Sequence, residues 1–365
     1  GADEFFACSP DGFFAGVVFA GLDFEAGFCW FAELDLLGIS CVLWMKEKLM
    51  KTRRLGQTDL DLTVIGLGTW AIGGPWQYGW GPQEDRDSLE AIGEALECGI
   101  NWIDTAPIYG CGHSEEVVGR ALRQFRPRPL VATKCGLLWN SQREKISCLD
   151  ARSITAECEA SLKRLGVEVI DLYQMHWPQP EEQIEEGWEA MVRLIEQGKV
   201  RYAGVCNFTV PQLERIERIA PPASLQPPYS MLQRDIEAEL LPYCGRKKIG
   251  VVVYSPLQKG LLTGKFTEKY LKTLPPDDHR VQTDPNFRQP LFGRNLRIIE
   301  RLRAVAAQAR MTVGQLAVAW VLRKPEVTSA IVGARRKGQI REIAPAAEAE
   351  LSESLWEEVE KILNS

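Results

Sequence analysis

The chain has 365 residues, 45% hydrophobic and 25% charged, with a formal net charge of −6. This is the composition of an ordinary globular protein with room for one large domain or two modest ones, and the acidic balance excludes a basic field for nucleic acid or anionic lipid. Ten cysteines without a CxxC pair point to reduced thiols in a cytoplasmic setting, and three scattered histidines (His113, His176, His279) give no metal-site spacing, so no metal is expected.

Residues 1–44 stand apart. They hold eight of the thirteen Phe and seven Asp or Glu, and no Lys or Arg precedes Lys46. A secretory signal would open on positive charge. Acids at Asp11, Asp23, Glu25, Glu33 and Asp35 interrupt each apolar run short of the roughly 20 residues a membrane helix needs. The stretch MKEKLMKTRRLGQTDLDLTVIGLGTW reads as a natural start at Met45 or Met50. Residues 1–44 are therefore expected to be upstream sequence read in frame, or an extension outside the fold, with 45–365 as the folded domain. The alternative is an interaction segment or anchor, although so much exposed Phe would favour aggregation.

From Arg53 onward strand-like and helix-like stretches alternate. Apolar runs of strand length lie at 63–67, 99–103, 129–133, 169–175, 200–205, 223–226, 250–254 and 329–332. Between them, EDRDSLEAIGEALECG, SITAECEASLKRLG, PEEQIEEGWEAMVRLIEQG and TVPQLERIERIA carry apolar residues at three- and four-residue spacing. Gly99, Gly166 and Gly198 close several of these helices, and Thr209 with Pro211 supplies a cap and first turn. Eight strands alternating with helices predict a parallel (β/α)8 barrel, a TIM barrel. A long rim loop is expected at 268–294 and a final outer helix at 351–363.

Asp104, Tyr109, Lys134 and His176 each lie at or just past the C-terminal end of one of these runs, the rim on which such barrels mount chemistry. Singly, Asp104 reads as a cap or turn former, Tyr109 as a packed aromatic and His176 equally as a core histidine or a site residue. Lys134 is more telling, because an ammonium at the end of LVAT enters the barrel mouth and needs a carboxylate or a catalytic use. Together they suit proton transfer to a forming alkoxide. A phenol can donate that proton if a nearby ammonium draws its pKa down from about 10 toward neutrality; a carboxylate holds the ammonium, and an imidazole orients the carbonyl.

The motifs GLGTW, DTAPIYGCGHSEEVVGRAL, ATKCG, YQMHWP, GVCNF, LQPPYSML, YSPLQKGLLTGK and IVGARRKGQI run in an order that resembles the aldo-keto reductase family over residues 53–347. The resemblance implies reversible reduction of aldehydes or ketones to alcohols, with NADPH/NADP+ as cofactor and NADH possible. It makes Tyr109 the general acid, supported by Lys134 and Asp104, with His176 orienting the carbonyl. It places Asn207 and Gln226 on the nicotinamide carboxamide and Tyr254 against the ring. Thr69, Trp70, Ser255, Pro256, Leu257, Gly260, Leu262, Lys265, Gly333 and Gln339 join them around the cofactor, and Arg335 and Arg336 take the 2′-phosphate, the alternative for this pair being a solvated basic turn before the last barrel helix. No GxGxxG dinucleotide fingerprint accompanies these residues; GLGTWAIGG lacks that order.

Two positions depart from the family pattern. Cys206 replaces a common Ser before Asn207, which weakens a carboxamide contact, and Ile343 stands where Asn often meets adenine. Trp70, Trp76, Trp80, Trp139, Trp177 and Phe208 form either an aromatic pocket for the carbonyl substrate or packing between rim loops. Two other functions compete. Class I aldolase barrels also set a lysine at a strand end for Schiff-base chemistry, and the resembling family includes channel-associated members that sense NADP with little turnover. No nucleic-acid or membrane partner is expected, and the sequence leaves the oligomeric state open.

Overall fold

Short runs rich in Val, Ile and Leu are buried on both faces when strands pair in parallel beneath helical crossovers, and that is how this chain uses them. The computed structural model describes residues 50–76, 78–275 and 278–365; the expectation for residues 1–44 lies outside them. Eight strands close into a barrel: β1 (Ile65–Gly68), β2 (Trp102–Asp104), β3 (Leu130–Cys135), β4 (Ile170–Met175), β5 (Val200–Cys206), β6 (Ser224–Gln226), β7 (Gly250–Val253) and β8 (Val327–Gly333). Each pairs in parallel with its neighbours in chain order, and β8 returns to β1. The (β/α)8 expectation therefore holds, with each boundary within a few residues of its apolar run.

The helices form where the periodicity placed them, at Asp85–Glu97, Ala151–Leu165, Ile184–Glu196 and Val210–Glu217. Gly166 adopts the left-handed conformation that ends its helix, and Thr209 forms a capping box with Gln212. The outer helix runs Glu353–Leu363, inside the expected 351–363.

Inward-facing residues of the strands build layers. At the N-terminal end an antiparallel hairpin, Thr52–Arg54 with Asp61–Thr63, brings Leu55, Leu60 and Leu62 against Trp102, Ala132, Leu172, Val252 and Ile331. Trp102 fits because Gly66 leaves its space open: a Cβ there would stand 2.1 Å from the indole. The Trp102 N–H is not stranded, since Thr63 O and Ser329 Oγ accept it. This apolar floor seals one end of the barrel and leaves the other for chemistry.

Two regions differ from the sequence reading. The 268–294 stretch is not a plain loop: it folds into short helical turns at Glu268–Leu271, His279–Thr283 and Pro285–Phe287, and a long helix begins at Leu291. Thr267, Asp278 and Asp284 cap those turns with their side chains, and Phe266, Phe287 and Phe292 pack as a small aromatic core. A second hairpin, Leu137–Trp139 with Lys145–Ser147, follows β3 at the rim. Among the described residues no single helix is long and apolar enough to cross a membrane, and no group of three metal-ligating side chains converges.

Candidate active site

One layer above the floor the interior turns polar, because strand alternation aims Asp104, Lys134, Gln174 and Gln226 inward beyond Trp102, Ala132, Leu172 and Ser224. Lys134 is fully buried. Its Nζ donates to Asp104 Oδ1 at 2.7 Å, to Thr105 O at 2.9 Å and to Tyr109 Oη at 3.2 Å. The second Asp104 oxygen accepts Gln226 Nε2 at 2.9 Å. A buried ion pair survives only when its remaining polar atoms are bonded, and here both carboxylate oxygens and the ammonium are served.

Tyr109 hangs from the turn after β2. Gly110 follows it with φ of +67°, and a Cβ there would lie 1.9 Å from Gly73 O. The loops after β1 and β2 thus touch backbone to backbone, which only glycine permits. Thr69 sits beneath them. Its hydroxyl donates to Asp104 O and accepts from Ser114 Oγ, so Thr69 is buried stitching between β1 and β2.

His176 follows β4, with its backbone N–H bonded to Cys135 O and its ring edge-on to the Tyr109 ring at 5.7 Å. Burial lowers its pKa well below the usual histidine value, and the Lys134 and Lys145 charges add to that. The imidazole is neutral at physiological pH, suited to hydrogen bonding a carbonyl rather than protonating it. Burial lowers the Lys134 pKa most strongly, yet the Asp104 charge and hydrogen bond, together with neighbouring Tyr109 and Cys206, outweigh it and the net shift is upward.

Tyr109 corrects the sequence expectation. Its pKa is not drawn toward neutrality but pushed up to about 12: burial dominates, Lys134 pulls it down less than burial raises it, and Asp104 adds to the rise. The phenol rests fully protonated.

Above these residues opens a cleft of about 1360 Å³. Asp104, Tyr109, His176, Asn207, Gln226 and Tyr254 line its depth. Asn207 holds a left-handed backbone, φ +62°, and its amide donates to His176 O at 3.0 Å while accepting Tyr254 Oη at 2.9 Å. Trp70, Ser255, Pro256, Leu257, Gly260, Lys265, Gly333, Arg336 and Gln339 also reach the cleft, and Lys265 is paired with Glu342 at 2.7 Å.

Four predicted cofactor residues are placed elsewhere. Thr69 is buried as described. Leu262 is a fully buried core residue behind its loop, and Cys206 is buried with its thiol pKa pushed up by burial, so it stays protonated and unreactive at neutral pH. Arg335 turns its guanidinium away toward residues 80–83.

Of the aromatic set, Trp70, Trp76, Trp80 and Trp177 line the cleft, Trp139 packs beside Tyr109 and Leu137, and Phe208 is core. Ile343 lines the cleft as an apolar contact. The sequence reading missed Tyr78, Lys145, His279 and Arg280 on the cleft wall. Tyr78 lies within the aromatic run PWQYGW, a usable signal; the others sit on short rim elements that carry none.

A sequence model of the Aldo/keto reductase family matches residues 64–364. Aldo-keto reductase YhdN of Bacillus subtilis (strain 168) is 41% identical over 298 residues, covering 81% of this chain and 88% of that one. NADH-specific methylglyoxal reductase of Escherichia coli (strain K12) is 36% identical over 319 residues, covering 84% and 96%. Among solved structures, the glycerol dehydrogenase AKR11B4 from Gluconobacter oxydans superposes with a TM-score of 0.79 at 38% identity, covering 87% of this chain and 96% of that one.

Proposed function

This chain belongs to the aldo/keto reductase family, and from that premise we propose that it reduces small aldehydes or ketones with a nicotinamide cofactor, NADPH before NADH, in the cytoplasm. The observation that carries the reading is Lys134 Nζ standing between Asp104 and Tyr109 Oη at the foot of an open cleft. The cleft suits the cofactor. Asn207 and Gln226 offer the donor and acceptor atoms an amide needs, Tyr254 offers a ring, and Arg336 and Lys337 add positive charge for phosphate. When bound, the reduced nicotinamide supplies the hydride.

The chain's own residues handle the proton. Tyr109 Oη, protonated at rest, donates to the developing alkoxide, whose pKa exceeds that of the phenol. The tyrosinate left behind lies 3.2 Å from the Lys134 ammonium. The role of Lys134 is to offset the burial that otherwise opposes that anion, rather than to ionise Tyr109 beforehand. Neutral His176 supplies a hydrogen-bonding group beside Tyr109, and the tryptophans of the cleft exclude water from the reacting carbonyl. A Schiff-base role for Lys134 is disfavoured, because its pKa is raised and a protonated amine is not a nucleophile.

The test follows absorbance of NADPH, then NADH, with a panel of small aliphatic and aromatic carbonyls. Carbonyl-dependent oxidation of either cofactor supports the proposal. Tight binding without turnover would favour a nucleotide sensor, and a borohydride-trapped adduct on Lys134 would favour an aldolase.

A further inference from the structure

Arg335 and Arg336 are adjacent but do different work. The Arg335 guanidinium donates to Gln83 Oε1 at 2.8 Å, to Trp80 O at 3.1 Å and to Pro82 O at 2.5 Å. Gln83 answers with Nε2 to Arg335 O at 2.7 Å. The partners lie about 250 residues apart in the chain and join the exit of β8 to the loop after β1. The backbone around them is also committed: Gln339 Oε1 accepts the N–H of both Arg335 and Arg336, and Glu94 accepts the N–H of Gly338. Arg336 and Lys337 line the cleft; Arg335 does not.

The strapped loop matters because Trp80 is part of the cleft wall. Its ring meets Trp70 edge-on at 5.3 Å and lies 4.4 Å beneath the Arg280 guanidinium. Arg280 is itself held by both oxygens of Asp278. Turning Arg335 toward a phosphate would strip its donors from two carbonyls and from Gln83 and leave those acceptors without it. A planar fork also matches this spread of acceptors in a way a single ammonium cannot.

We infer that Arg335 is a positioning residue that fastens the Trp80–Gln83 segment and with it the cleft wall, and that discrimination for a cofactor 2′-phosphate falls to Arg336, aided by Lys337. The second half rests on the nicotinamide reading above; the first half does not.

The experiment compares Arg335→Met, Arg335→Lys and Arg336→Met in the full chain. Hydrogen–deuterium exchange of residues 78–84, read without nucleotide, should speed up by about tenfold or more in both Arg335 variants and not in Arg336→Met. Titration with NADP+ and NAD+ by tryptophan fluorescence should show the affinity ratio unchanged within about twofold in Arg335→Met, and reduced by about tenfold or more in Arg336→Met. With turnover present, Arg335→Met should raise the carbonyl KM more than it lowers kcat. Gln83→Ala, which removes one arm of the strap, should move exchange in the same direction and covers the case in which an Arg335 variant fails to fold. Unchanged exchange in Arg335→Met would overturn the strap. Loss of NADP+ preference in Arg335→Met, restored by Arg335→Lys, would overturn it in favour of direct phosphate contact. Failure of the parent protein to bind either nucleotide would count against the nicotinamide reading, while the exchange result still decides the strap.

Discussion

Trp102 and Asp104 stand two residues apart on β2 and face the same barrel interior, as do Ala132 and Lys134 on β3. One layer is apolar, closed by the hairpin leucines, and makes its contribution by removing surface from water. The next is an ion pair tied to a phenol and an amide, whose burial costs free energy and is offset only by complete hydrogen bonding. A single strand period thus separates the apolar floor from the layer proposed to carry the chemistry. The floor's polar donor, the Trp102 N–H, has its partners, and the layer above satisfies the ion pair fully while leaving Gln174 Nε2 without one.

Lys134→Met should break that balance most severely. It leaves Asp104 charged and buried with Gln226 as its remaining side-chain donor, which is expected to cost about 3–5 kcal/mol in urea unfolding and to abolish turnover. Lys134→Met with Asp104→Leu should recover much of the stability and none of the activity. If the single and double variants were equally unstable, the polar layer would not be held by pairing.

Trp102→Ala attacks the floor instead. A cost of about 3–5 kcal/mol is expected, with kcat of the folded fraction near the parent value. Gly66→Ala should cost less, about 1–3 kcal/mol, because its Cβ would press on the same indole. Loss of kcat in either variant at a temperature where it is folded would show that the two layers are not separable.

The smallest expected effect is an absence of titration. Tyr109 is pushed up to about 12, so it keeps its proton as pH rises, and His176 is shifted well below its usual range, so it stays neutral as pH falls through about 6.5. The kcat for carbonyl reduction should therefore stay flat between about pH 6 and 9. An acid limb near 6.5 that vanished in His176→Gln would contradict the neutral imidazole.

Much of this was legible in the chain. Buried parallel strands read as plain apolar runs, so all eight could be found, and the residues proposed for catalysis sit at or just past their ends. The 268–294 segment could not be read, since turns of three to five residues leave no periodicity. Nor could Gln226 on Asp104 or Arg335 on Gln83, because those partners are 122 and 252 residues apart. The motif IVGARRKGQI gave two arginines in equal standing, and only tertiary structure distinguishes them. The direction of the Tyr109 shift was misjudged for the same reason: sequence shows the neighbouring ammonium but not the burial that outweighs it.

The most direct measurement is kcat/KM for carbonyl reduction by Tyr109→Phe beside the parent protein, with cofactor affinity and the urea midpoint taken on the same samples. Removing one hydroxyl should lower the rate by about 10²–10⁴-fold, with affinity within about twofold and stability nearly unchanged. A variant that turned over at the parent rate would contradict Tyr109 as the proton donor.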